Sequence, residues 1–408
     1  MSESDVVYKD AELVWDVQKE HPRLFEQLIS SRHKEWLKAW LNESDGRVPT
    51  LESCRPFDGK VWRRPLRHAR AIYRAIDAST NLCLKGTEAW CADLDIELQE
   101  SPKRDMHQKY INQIDWWIRI EQKSPFVMTV KEGIEEASIA AQIQTDYHDK
   151  FGGFAKLPIP IRVFKFPNSL RDSYLAKLKR VCSPSIEALA EHVVSSGLCA
   201  YCYFLEGTYE RVTLLGHPYS AEKSGYQGRM GLLKEQFPSL DLEKSMNSWV
   251  KLAVDMMSLG WMPANYNTDY TGQMVRYNNA TIDGGFVDVD SARRISEIPS
   301  DQDFFKSFWY LITELTSCYI VSMVGADKFS TGMWASHTYP SPIYGDAMCA
   351  ILVWDKFISC IEDSKRSGAS FDRRVEMLLD KKRPFAKLDF MLTALFPATA
   401  LVRPTKNL

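Results

Sequence analysis

The chain has 408 residues, of which 45% are apolar and 25% charged. That is ample for a packed core, suggests two domains or one large bilobal unit, and excludes wholesale disorder. Lys plus Arg number 51 against 53 Asp plus Glu, so a net charge of −2 excludes a global attraction to nucleic acid or to an anionic membrane. Nine cysteines, an odd number scattered through a long chain, point to reduced thiols. The opening MSESDVVYKD lacks an apolar signal region, and no stretch of apolar residues is long enough to span a bilayer. The expectation is a cytoplasmic protein with no membrane partner and no clear nucleic-acid partner.

Residues 1–45 read as helical, with Leu13, Val17, Leu24, Leu28, Trp36, Leu37, Trp40 and Leu41 at near-helical spacing. A loop from Pro49 to Gly59 precedes a basic run, Arg63, Arg64, Arg67, His68 and Arg70, that suits a solvated face or an anion-binding patch. Asn81–Leu84 and Ala92–Leu98 read as two strands, with Lys85-Gly86 at the turn between them. Pro102–Glu121 has helical periodicity.

Phe126–Lys131 (FVMTVK) reads as a short strand, followed at once by a helix from Glu132 to Phe151 that Gly152 terminates. Ile159–Phe166 and Cys199–Leu205 read as strands around a helical Ser169–Ser195. The second strand carries the one C-x-x-C, Cys199 and Cys202, in a run that reads as buried, so these thiols are expected to be structural. Beyond about residue 230 the character changes. Pro238-Ser239 opens a helix with Ser239 as its cap, and Gly260 closes it. A polar NYNTDYTG and an alternating QMVRYNNATIDGGFVDVD follow, the latter patterned as a hairpin that sets Asp288 and Asp290 on one strand face. After Phe304 the pattern is helical and aromatic-rich.

The order of strand-rich part, helix, polar loop, hairpin and acidic pair resembles the protein-kinase-like superfamily, including its aminoglycoside-phosphotransferase and selenoprotein O relatives. The resemblance implies an α+β, bilobal kinase-like fold: a helical extension over 1–75, a strand-rich lobe over 76–207 and a mostly helical lobe over 208–408. It implies ATP and Mg²⁺ as cofactors, and phosphoryl or adenylyl transfer to a small-molecule or peptide acceptor. In this family a strand Lys and a helix Glu serve the phosphates, and a loop Asp, an amide and a second Asp serve the acceptor and the metal.

Carried over by residue, Asp269 in Asn267-Thr268-Asp269 takes the catalytic loop position, and Gln273 falls near the family's amide. Asp288 or Asp290 in FVDVD takes the metal position; a second register, through TIDGG, gives it to Asp283. The phosphate-binding lysine is Lys131, which ends a strand ahead of a helix carrying Glu132, Glu135 and Glu136, or Lys85 in LKGTE. Glu206-Gly207 resembles the segment linking the lobes, where backbone groups meet adenine. No G-x-G-x-x-G loop precedes either lysine, no H-x-D precedes Asp269, and no D-F-G occurs. These departures argue against an active, conventional protein Ser/Thr kinase. They leave a divergent transferase or a pseudokinase-like binding protein.

Overall fold

The computed structural model describes residues 11–43, 71–86, 127–180, 182–212, 240–264, 279–324 and 347–379, with 7–8, 48–49, 115, 118–119 and 238 besides. The basic run at 63–70, the expected strand 92–98, most of the helix expected over 102–121, and Asp269 and Gln273 lie outside these residues. The chain divides into two compact units. The first holds the described residues up to Arg211 together with Gly285–Ser291, and the second holds the remainder. The fold is mixed α and β. Among the described residues, no helix is long and apolar enough to cross a membrane.

The first unit is built on a five-stranded antiparallel sheet. In chain order its elements begin with β1 (Val7–Tyr8), β2 (Glu12–Asp16), α1 (Val17–Glu20), α2 (Pro22–Ile29), α3 (Lys34–Glu43) and β3 (Val48–Pro49). They continue with β4 (Ala71–Ala75), β5 (Thr80–Lys85), α4 (Val130–Phe151), β6 (Ile159–Lys165), α5 (Asn168–Leu178), α6 (Pro184–Val193) and β7 (Cys199–Glu206). The sheet order is β2-β6-β7-β5-β4, and β1 pairs with β3. Leu13 therefore belongs to an edge strand, not to the helix its spacing suggested; pairing of Leu13 with Phe164 overrides the local pattern. β7 is central and buried along almost its whole length, as its continuous apolar run requires.

β4 and β5 form a hairpin in which Lys85 lies opposite Ala71. The Asp77 carboxylate accepts from Ser79 N–H at 2.7 Å, so a side chain closes the turn. Gly86, with φ of +89°, follows Lys85 directly; a Cβ there would stand 2.3 Å from the carbonyl oxygen of Cys199. Only glycine permits this backbone to pass against β7.

Helix α4 starts two residues earlier than its periodicity suggests. Thr129 and Glu132 form a capping box, the Thr129 hydroxyl accepting from Glu132 N–H at 3.2 Å and the Glu132 carboxylate from Thr129 N–H at 2.7 Å. The expected strand over 126–131 thus reduces, among the described residues, to one bridge between Thr129 and Leu198, and Lys131 belongs to the helix. Gly152, with φ of 73°, ends the helix as expected. The helix packs on β6 and β7 through small residues, Gly133, Ala137, Ala140 and Ala141.

The second unit contains α7 (Leu242–Ser258), β8 (Trp261–Met262), β9 (Arg293–Arg294), α8 (Asp301–Val324), α9 (Ala347–Arg366) and α10 (Arg373–Leu379). Helices α7, α8 and α9 pack against one another around Trp249, Phe308 and Phe357. The cap of α7 is Asp241, not Ser239: its carboxylate accepts from the amides of Glu243 and Lys244, each at 3.1 Å. Residues 280–284 are fastened to α7 by Trp249 Nε1, which donates to Thr281 O at 3.0 Å, and by the Ser245 hydroxyl, which donates to Ile282 O at 2.5 Å.

Candidate functional site

The site begins at the end of β5. Strand alternation sends Cys83 and Lys85 to one face, and the register sets Lys85 opposite Tyr201 and Cys83 opposite Tyr203 and Tyr73. On that face α4 presents Glu136. The Lys85 ammonium donates to Glu136 Oε2 at 2.6 Å, and the two side chains are 3% and 1% exposed. A second carboxylate, Asp288 Oδ2, lies 3.4 Å from the same Nζ. All three residues belong to the first unit.

Asp288 reaches this place without a regular strand. Residues 284–292 follow an irregular path, so the expected sharing of one strand face by Asp288 and Asp290 is corrected. What holds the segment is Phe286 N–H, which donates to Lys156 O at 3.0 Å, and Val287, which is buried in the core of the sheet. The pairing is therefore non-local, and alternation within FVDVD does not set it.

Among the described residues, the electrostatics are those of the Lys85 ammonium beside Glu136, Asp288 and Asp290. Burial pushes the Glu136 carboxyl up to about 8 against the attraction of Lys85, with Asp288 and Asp290 pushing the same way. Glu136 Oε1 and Asp288 Oδ1 are buried and have no hydrogen-bond partner among the described residues. Carboxylate oxygens without a partner among the described residues, beside the Lys85 ammonium, suit a hard cation such as Mg²⁺, which takes oxygen ligands. Among the described residues no group of three or more His, Cys, Asp or Glu side chains is gathered to hold a metal.

Beside the ammonium the same sheet face carries a layer of tyrosines. Tyr73 and Tyr209 stack with ring centroids 5.4 Å apart, and the hydroxyls of Tyr203 and Tyr209 are 2.9 Å apart. The Tyr73 hydroxyl donates to Glu210 Oε1 at 2.9 Å. Tyr201 packs on Tyr203 with centroids 4.8 Å apart. Sequence reasoning missed these residues. The alternating tyrosines of β7 were visible, but only the register of β5 on β7 brings them next to Lys85.

The structure thus gathers Lys85, Glu136 and Asp288, with Asp290 acting on Glu136 electrostatically. Lys131 does not join them; it is exposed in the first turn of α4. The side chain of Glu206, at the end of β7, serves another cluster: it pairs with Arg32 at 2.7 Å and lies 3.5 Å from Nε2 of buried His33. His33 belongs to no motif in the sequence. Its ring sits against Phe154 and Phe204, and burial pulls its pKa below the usual value, opposed by Glu206. At the neighbouring Gly207, N–H donates to Ser79 O at 2.7 Å and C=O accepts from Asn81 Nδ2 at 2.6 Å, so both backbone groups are engaged within the chain. Asp283 belongs to the second unit and accepts from the Thr281 hydroxyl at 2.6 Å. Cys199 and Cys202 are buried thiols outside any disulfide, and the Cys199 thiol donates to Thr129 O at 3.1 Å.

Comparison with protein-family models, with curated proteins and with solved structures found no match.

Proposed function

We propose that the protein carries out ATP- and Mg²⁺-dependent group transfer, phosphoryl or adenylyl, to a small-molecule or peptide acceptor. The observation that carries this reading is the buried Lys85 ammonium held between a helix carboxylate, Glu136, and a loop carboxylate, Asp288. Protein kinases use a strand lysine paired with a helix glutamate on the phosphates, and a loop aspartate on the metal. Lys85 would meet the phosphates, Glu136 would fix the lysine's direction, and Asp288 with Asp290 and Gln273 would hold the cation. Bound Mg²⁺ would neutralise charge on the transferred group. Asp269 would orient the acceptor or take its proton.

A second reading, a pseudokinase-like binding protein, is favoured by the tyrosine layer. Cys83, on the sheet face next to Lys85, is fully buried under the chain's own side chains. Titration calorimetry separates the two. The transferase reading expects ATP binding that requires Mg²⁺ and is lost in Lys85→Met and in Asp288→Ala, with both variants folded by circular dichroism. No binding at millimolar ATP, or binding indifferent to metal, favours the second reading.

A further inference from the structure

We propose that the Tyr201 hydroxyl is a further ligand contact of this site, a donor to the ligand oxygen that enters beside Lys85. The proposal rests on the transferase reading of the same cluster. Tyr201 is fully buried in the central strand, directly opposite Lys85 across the ladder. Its hydroxyl has no hydrogen-bond partner among the described residues. The neighbouring phenols differ: Tyr73 is bonded to Glu210, and Tyr203 to Tyr209.

Buried tyrosine hydroxyls ordinarily find partners, and leaving one unmade costs stability. Phenylalanine would fill the same volume without that cost. A tyrosine kept here has a use only when a partner arrives. Burial and the carboxylates of Glu136 and Asp288 raise the phenol's pKa, so it keeps its proton and can donate. A donor beside an ammonium matches an anionic oxygen. A ligand lacking an oxygen at that point would leave the phenol unpaired and bind less well.

The test compares Tyr201→Phe with Tyr203→Phe, reading the thermal midpoint without nucleotide and the Mg·ATP affinity by calorimetry. Tyr201→Phe is expected to melt at or above the wild-type temperature and to bind about tenfold to a hundredfold more weakly, the range for a lost hydrogen bond to a charged group. Tyr203→Phe, which breaks a made bond, is expected to melt lower and bind normally. Wild-type affinity in Tyr201→Phe overturns this proposal alone. A midpoint lowered as in Tyr203→Phe does so too, since the hydroxyl is then paired in the free protein. Wild-type protein that fails to bind Mg·ATP removes the transferase reading and the proposal together.

Discussion

Gly133 of α4 faces Cys199 of β7 so closely that a methyl group added there would stand 2.6 Å from the Cys199 sulfur and 3.1 Å from Val163 Cγ1. Glu136 is one turn further along the same helix. The absence of a side chain at Gly133 therefore sets how near Glu136 comes to Lys85. Gly133→Val should push the helix off the sheet and destabilise the protein by about 1–3 kcal/mol, the usual cost of overpacking. Cys199→Ala in the same chain should restore part of that loss. Urea unfolding of the two single variants and the double variant checks the coupling.

Removing the ammonium has a pH-dependent cost. Lys85→Met leaves Glu136 and Asp288 without their shared cation. Breaking a buried ion pair from one side typically costs about 3–5 kcal/mol. Without the ammonium the Glu136 carboxyl rises above its wild-type value of about 8, so the loss in Lys85→Met should grow as pH rises and stay below that cost until the carboxyl ionises. Below about 8 Glu136 takes a proton, and the loss should shrink. Equal destabilisation at both ends of the range would show that Glu136 does not titrate in the folded protein.

The sign for Glu136 in the wild type is the reverse of the usual carboxylate. Its folded pKa, about 8, stands above its ordinary 4.5. Between those values the native state holds the proton that the unfolded state has lost, so stability falls as pH rises and levels off beyond about 8. His33 and His21 act oppositely, because their lowered values favour the neutral folded form and cost stability as pH falls through about 6.5. Asp77 and Asp241, both lowered, contribute stability that is lost only below the ordinary carboxylate range. The difference between wild type and Glu136→Gln should therefore isolate a slope confined to the window between 4.5 and about 8. Denaturant curves at closely spaced pH values measure it.

A fourth prediction concerns Asp269, whose proposed role rests on the sequence resemblance alone. Asp269→Asn keeps size and hydrogen bonding and removes the charge. In the transferase reading it should lower turnover by about 10²–10⁴ and leave ATP affinity nearly unchanged. Unchanged turnover in a folded variant would end the assignment of Asp269 as the acceptor's base.

Local chemistry was legible in the sequence, and long-range register was not. The α4 stop at Gly152, the strands β6 and β7, and the buried thiols of Cys199 and Cys202 follow from residue types and spacing alone. The start of α4 was written in Thr129 and Glu132, a capping-box spacing that the β-branched FVMTV run concealed. Lys85 was read as a turn residue because Gly86 follows it. It is in fact the last residue of β5, and the ladder to Tyr201 turns it inward. Asp288 was picked by motif, but its position depends on the Phe286–Lys156 bond between segments far apart in sequence. No periodicity encodes such a contact.

Helix α4 carries one acid of the cluster itself and reaches the other at second hand. Gln144, buried on its inner side, donates to the carbonyls of Ala155 at 3.1 Å and Leu157 at 3.0 Å, and accepts from Ala155 N–H at 2.9 Å. Between those two residues, the Lys156 carbonyl holds the amide of Phe286, two residues before Asp288. The helix is thus a single bar with two bolts, and both close on one lysine. Sliding it would withdraw Glu136 and tug Asp288 in the same stroke. Half-closed positions strand a buried charge, which is costly. Both carboxylates of the Lys85 cluster therefore depend on the placement of this one helix.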